Sequence, residues 1–235
     1  MQDNVSRGNR TVLWSKIVFV FSLVVAVLAM SCYNLMQSSV ASEPADFLFS
    51  DLILLLGTVL VGMALMVSVS MQGLFWLLWM FRAEQNLRKI THTTFSPWAA
   101  VICCCLPYLG QLIHYFVLRD LIKHTENELT VREAKTEKVP MSFVNAYLVL
   151  TILSGVFSFA GESIVSLGGC MVFALASLAC FIRVISTLVT EEQALYQLYQ
   201  EEVLRAKVDQ VLRERELEAA ASKVAEPVEP PKDLP

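Results

Sequence analysis

Five apolar runs, separated by short polar stretches, constrain this chain more than anything else in it: Ile17–Met36, Leu52–Phe81, Pro97–Leu118, Met141–Gly161 and Ser163–Val189. A helix needs about 20 apolar residues to cross the hydrocarbon core of a bilayer. All five runs are near or above that length, so the chain is expected to be all-helical, embedded in a membrane, with lipid as its first partner. Only 17% of the residues are charged, against about 25% in a soluble domain; the excess apolar surface has to face lipid.

The net charge of −4 is unevenly placed. From Thr190 onward there are eleven acids against six bases, and the remainder holds 12 bases against 11 acids. No basic surface of the kind that binds nucleic acid is visible.

Bases mark the cytoplasmic ends of spans. Arg7, Arg10 and Lys16 precede the first run, whereas Gln37–Asp51 carries Glu43, Asp46 and Asp51 and no base. Arg82, Arg88 and Lys89 follow the second run, and Arg119, Lys123, Arg132, Lys135 and Lys138 follow the third. The fourth and fifth runs meet at Gly161-Glu162-Ser163, without a base. Both termini are then expected in the cytoplasm, and both ends of the third run fall on one side.

A run with both ends on one side cannot be a simple span. Pro107-Tyr108-Leu109-Gly110 interrupts it. Proline removes a helix hydrogen bond, and glycine tolerates a tight reversal. Ser96 is a good N-cap and Pro97 a good first helical residue. The reading is a half-helix from Pro97 to about Leu106, a turn, and a second helix from Gly110 toward Lys123. This gives four transmembrane helices plus a re-entrant or interfacial hairpin. The alternative is a proline-kinked span and five crossings. Trp14, Trp76, Trp79 and Trp98 all fall at the proposed cytoplasmic boundary, where interfacial tryptophans are favoured.

The domain reading is a transmembrane unit over residues 1–189, a cytoplasmic helical tail over 190–222 and a disordered terminus over 223–235. The tail is rich in Glu, Gln, Leu, Ala and Arg, good helix formers. Leu204, Val208, Val211 and Leu212 form one stripe on it, and Leu195, Leu198 and Tyr199 another on a different face. The drift between them argues against a sustained coiled coil. The Pro- and Glu-rich end cannot pack a core.

Few residues suggest chemistry. Arg183 is an intramembrane charge six residues from the end of the fifth run, close enough to snorkel to the headgroups. Glu162 is expected to be hydrated in the outer turn, and Asp51, just before the second run, to be an interfacial helix-start residue. His92, His114 and His124 have no zinc-ligand spacing. The cysteines Cys32, Cys103, Cys104, Cys105, Cys170 and Cys180 all lie in apolar runs, unlike a disulfide framework in polar loops. Leu28-Ala29-Met30-Ser31-Cys32 loosely resembles a lipoprotein cleavage site, but apolar sequence continues beyond Cys32. There is no nucleophile motif, phosphate loop or cofactor signature, so an enzyme is disfavoured, with no cofactor and no metal expected.

Trp79, Arg82 and Asn86, spaced three and four apart, share one helix face. With Leu87, then Ser96-Pro97 and Pro107, this block resembles a bacterial membrane domain family of unknown function. That family typically shows Trp-x-x-Arg-x-x-x-Asn-Leu, then Ser-Pro, an aromatic-rich apolar stretch and a second proline. The match covers roughly residues 73–121. It departs after Pro107, where this chain has Gly110, Gln111 and His114, and at Cys103–Cys105, where the family has aromatics. The resemblance implies a bundle of about four spans, in a bacterial inner membrane, and no activity. From helix face and proximity, Arg82 and Asn86 are expected to pack over the Ser96-Pro97 start of the hairpin. The functional expectation is a scaffold or interaction protein whose residues 190–221 recruit a cytoplasmic partner or another copy. The alternative is a small transporter or channel, with the broken third run lining the path.

Overall fold

The computed structural model describes residues 1–40, 49–106, 109–134, 136–160 and 163–224, which form six helices and no strand. They are α1 (Val5–Val40), α2 (Phe49–Leu87), α3 (Pro97–Cys104), α4 (Leu109–Val131), α5 (Met141–Phe159) and α6 (Ile164–Val224). Among the described residues four helices, α1, α2, α5 and α6, are long and apolar enough to cross a membrane.

The broken third run is a hairpin. Ser96 caps α3 by accepting the Ala99 N–H at 3.1 Å, and Pro97 occupies the first turn, where its missing N–H costs nothing. Eight residues later α3 stops. Near the reversal the Gly110 N–H donates to the Leu106 carbonyl at 2.8 Å. A Cβ on Gly110 would lie 2.5 Å from the Cys104 carbonyl oxygen, so the return requires glycine there. At the other end Thr94 donates to Asp120 from its backbone N–H (3.1 Å) and its hydroxyl (2.7 Å). Residue 94 opposite 120 and residue 104 opposite 110 describe two antiparallel arms. The five-crossing alternative is therefore set aside. Pro107 lies outside the described residues.

α4 continues two turns beyond Lys123. The turn after its end at Val131 closes at Glu133, whose φ of 56° lets the Ala134 N–H reach the Leu129 carbonyl (3.0 Å) and the Glu133 N–H reach that of Thr130 (3.1 Å). This is the Schellman closure that glycine usually provides.

α1 packs along α2, and α5 along α6. α6 also packs on α1 and joins the two pairs, while the hairpin lies against α2, α5 and α6. We call the end holding the hairpin base, with Arg7, Arg82 and Arg119, the basic end. The densest packing is there: Trp79, Met80, Leu118, Ile122, Val144 and Ile185 are all fully buried. Trp76 and Trp79 belong to this core, with 6% and 0% exposure. They do not form the interfacial belt expected of them, because residues 76, 79, 80, 83 and 87 share the face of α2 turned toward the hairpin and α6. Trp98, 67% exposed, does face outward.

α6 is a single helix of 61 residues, about 90 Å long at 1.5 Å per residue. The expected helical tail is its uninterrupted continuation. Its first turns pack into the basic end, where Glu191 and Leu195 are each 1% exposed. The free part of the helix begins near residue 200.

Candidate functional site: a polar cavity in the bundle

α2 and α5 make no extended contact with each other; α1 and α6 link them at the back, and the hairpin packs on both toward the basic end. Above the hairpin a cavity of about 510 Å³ remains. It is lined by Gln72 and Trp76 of α2, Gln111 and His114 of α4, Tyr147, Thr151, Ser154 and Ser158 of α5, and Cys170, Ser177 and Phe181 of α6. Gly73 and Gly155 also face it, and a methyl group added to either would meet nothing within 4 Å.

The floor is aromatic. The His114 ring lies 4.7 Å from Trp76, 5.6 Å from Tyr147 and 5.7 Å from Phe181, centroid to centroid. Trp76 meets Phe181 edge-on at 5.3 Å and lies tilted against Trp79 at 5.2 Å. These rings form the end of the cavity toward the basic end.

Most wall hydroxyls bond within the wall. Thr151 Oγ1 donates to the Tyr147 carbonyl at 2.7 Å and lies 2.6 Å from Ser177 Oγ, while Ser154 donates to the Cys170 carbonyl at 3.1 Å. Gln72 Nε2 donates to Ser15 on α1 at 3.0 Å. His114 differs. Its Nδ1 is 3.0 Å from the Tyr147 hydroxyl, whereas its buried Nε2 has no partner among the described residues. If Tyr147 donates, Nε2 carries the proton and is a donor; if Nδ1 donates, Nε2 is an acceptor. Either tautomer leaves one polar atom unsatisfied, and a buried unsatisfied group costs about 1–3 kcal/mol. The Tyr147 hydroxyl is the one side-chain partner of His114, and no group of three metal-ligating side chains occurs among the described residues. The arrangement is suited to binding.

The block singled out from sequence lies just below this floor, with partners other than those expected. Asn86 pairs with the backbone of Gln2: its Oδ1 accepts the Gln2 N–H at 2.8 Å and its Nδ2 donates to the Gln2 carbonyl at 2.8 Å. Asn86 Nδ2 also lies 3.5 Å from Glu192 Oε1. Asn4 Nδ2 donates to both Glu192 oxygens, at 3.0 and 3.2 Å, and to the Trp79 carbonyl at 3.0 Å. Arg82 donates to the Gln2 side chain, and at 3.3 Å to Gln85. The motif therefore ties the first residues of the chain to α2 and α6. Among the described residues its hydrogen bonds do not include Ser96 or Pro97; α2 and α3 pack on each other, with Phe81 and Trp98 4.9 Å apart.

Arg183 reaches out of the bundle to Glu137 in the loop before α5, at 2.6 Å. His124 pairs with Asp120 at 3.4 Å, and His92 is exposed. The six cysteines are free, and Cys32 lies 3.4 Å from Thr58 Oγ1 across the α1–α2 seam. Glu162, and the side chain of Asp51, lie outside the described residues.

Sequence reasoning gave His114 no role because it looked only for metal spacing. The usable signal was the combination of Gln72, Gln111 and His114 in otherwise apolar runs. No known protein family, curated protein or solved structure matches this chain.

Proposed function

We propose that this is a membrane-embedded binding protein, and that the cavity holds a small molecule with an apolar body and a hydrogen-bonding head. One observation carries the reading: the buried, unpartnered Nε2 of His114 at the floor of a roughly 510 Å³ cavity. Ligand sites are commonly about 300–1,000 Å³, mostly apolar, with a few convergent polar groups. The lack of extended contact between α2 and α5 supports entry of the ligand from the bilayer, and the aromatic floor favours binding over conduction.

The test uses the full chain purified in mild detergent and native mass spectrometry. A non-covalent adduct should remain on the wild-type protein. It should be lost in Gly155→Leu, which fills the cavity without a backbone clash, and weakened in His114→Leu. An empty wild type, or equal adducts on all three proteins, would refute the reading.

A second reading, a scaffold or interaction protein, is favoured by the free end of α6. There Leu204, Val208, Val211 and Leu212 are 63%, 50%, 50% and 53% exposed. Its acids keep it off an anionic leaflet, leaving a protein partner or a second copy as its occupant. A chain ending at Gln200 separates the readings, because the cavity adduct should survive that truncation.

The placement we propose puts the basic end and both termini in the cytoplasm, on the positive-inside rule. With the native cysteines removed, a cysteine at Ala45 should react with an impermeant reagent outside intact cells, and one at Ala134 should not. Outside labelling at Ala134 would reverse the placement.

A further inference from the structure

We propose a second site, independent of the cavity: a pocket between α4 and the start of α5 that holds the headgroup of an anionic phospholipid. The pocket is about 540 Å³ and contains Arg119, Lys123, Lys138, Asn127 and Thr130, with Ile122 and Met141 as apolar wall. Arg119, Lys123 and Lys138 are exposed, and none forms a salt bridge among the described residues. By contrast Arg132 and Arg183 are both paired with glutamates. Two other ionisable groups line the pocket. Glu126 is the one acid, and His124 is engaged with Asp120. Three cations face one carboxylate, so the pocket favours an anion.

Its depth identifies the anion as a lipid's. Met141 is the first residue of the α5 span, which sets the pocket at the headgroup level of the basic end. The outward face of α4 changes character at this height. Leu112 and Phe116 are 40% and 53% exposed, and one turn further on the same face carries Arg119 and then Lys123. Residues at this spacing stack along one side of a helix. Apolar surface therefore runs toward the bilayer centre from the basic pocket, as an acyl chain below a phosphate requires. Basic pockets between helices on the cytoplasmic side are suited to such headgroups.

The test is a titration of the detergent-purified full chain with dioleoyl phosphatidylglycerol or dioleoyl phosphatidylcholine, read as bound lipid by native mass spectrometry. The phosphatidylglycerol should bind at least about tenfold more tightly. Each base removed should weaken it about fivefold, so Arg119→Gln with Lys123→Gln and Lys138→Gln should abolish the preference. Lys123→Gln alone provides a graded arm in a minimally altered protein. Arg205→Gln with Lys207→Gln and Arg213→Gln makes the same charge change on the free end of α6 and should leave the preference intact. Equal loss in that control, or no preference in the wild type, would overturn the site. Inorganic phosphate that displaces the lipid at comparable concentration would overturn the lipid assignment in favour of a soluble anion.

Discussion

Asn86→Asp, a change of one atom in kind and almost none in shape, should destabilise the protein by about 3 kcal/mol. Asn86 works because an amide offers one acceptor and two donors. The acceptor takes the Gln2 N–H, and the donor side serves the Gln2 carbonyl and faces Glu192. A carboxylate retains the first bond only. It sets an oxygen against the Gln2 carbonyl and places a buried carboxyl about 3.5 Å from that of Glu192, whose burial already disfavours its charged form. Asn86→Ala removes the bonds without adding repulsion, so it should cost less. The measurement is reversible unfolding in mixed micelles. An Asp variant as stable as wild type would show that the link between the chain start and α2 contributes nothing.

This cluster shows what could and could not be read from residues alone. The common face of Trp79, Arg82 and Asn86 follows from helical spacing, and the structure keeps them on one face. Their partners do not follow. Gln2 and Asn4 precede α1, and Glu192 lies 106 residues beyond Asn86. Only the assembly of α1, α2 and α6 brings them together, so proximity in sequence could not point to these hydrogen-bond partners. The hairpin was legible because its determinants are local: a cap, a first-turn proline, a glycine at the reversal, and like charge at both ends. The cavity was not, because it exists where α2 and α5 fail to pack, and an absent contact leaves no periodic signal. The buried state of Trp79 was missed for a related reason. A tryptophan near a membrane boundary satisfies both an interfacial reading and a core reading, and which one holds depends on whether another helix covers that face.

A close approach at Gly8 in the basic end gives the second large effect. Gly8 lies inside α1, where glycine costs about 1 kcal/mol relative to alanine. Propensity therefore argues against it, and packing explains it. A Cβ at this position would sit 2.6 and 2.8 Å from the two Val189 methyls of α6, and 3.0 Å from the Trp79 indole nitrogen of α2. Trp79 is fully buried and Val189 nearly so, at 0% and 4% exposure. Gly8→Val should therefore push α1 away from the other two helices and cost about 3 kcal/mol, the upper part of the usual range for overpacking a core. The same displacement would draw Asn4 off Glu192, since Asn4 sits one turn before Gly8 and the Gly8 N–H bonds to its carbonyl at 3.0 Å. Rescue makes the assignment specific. Val189→Ala alone opens a small void and is mildly destabilising. Combined with Gly8→Val it should recover at least about half of the loss, because neighbouring substitutions that exchange volume are non-additive. Unfolding midpoints for the two single variants and the double variant measure this directly. Strict additivity would show that the cost of a side chain at position 8 does not arise from contact with α6.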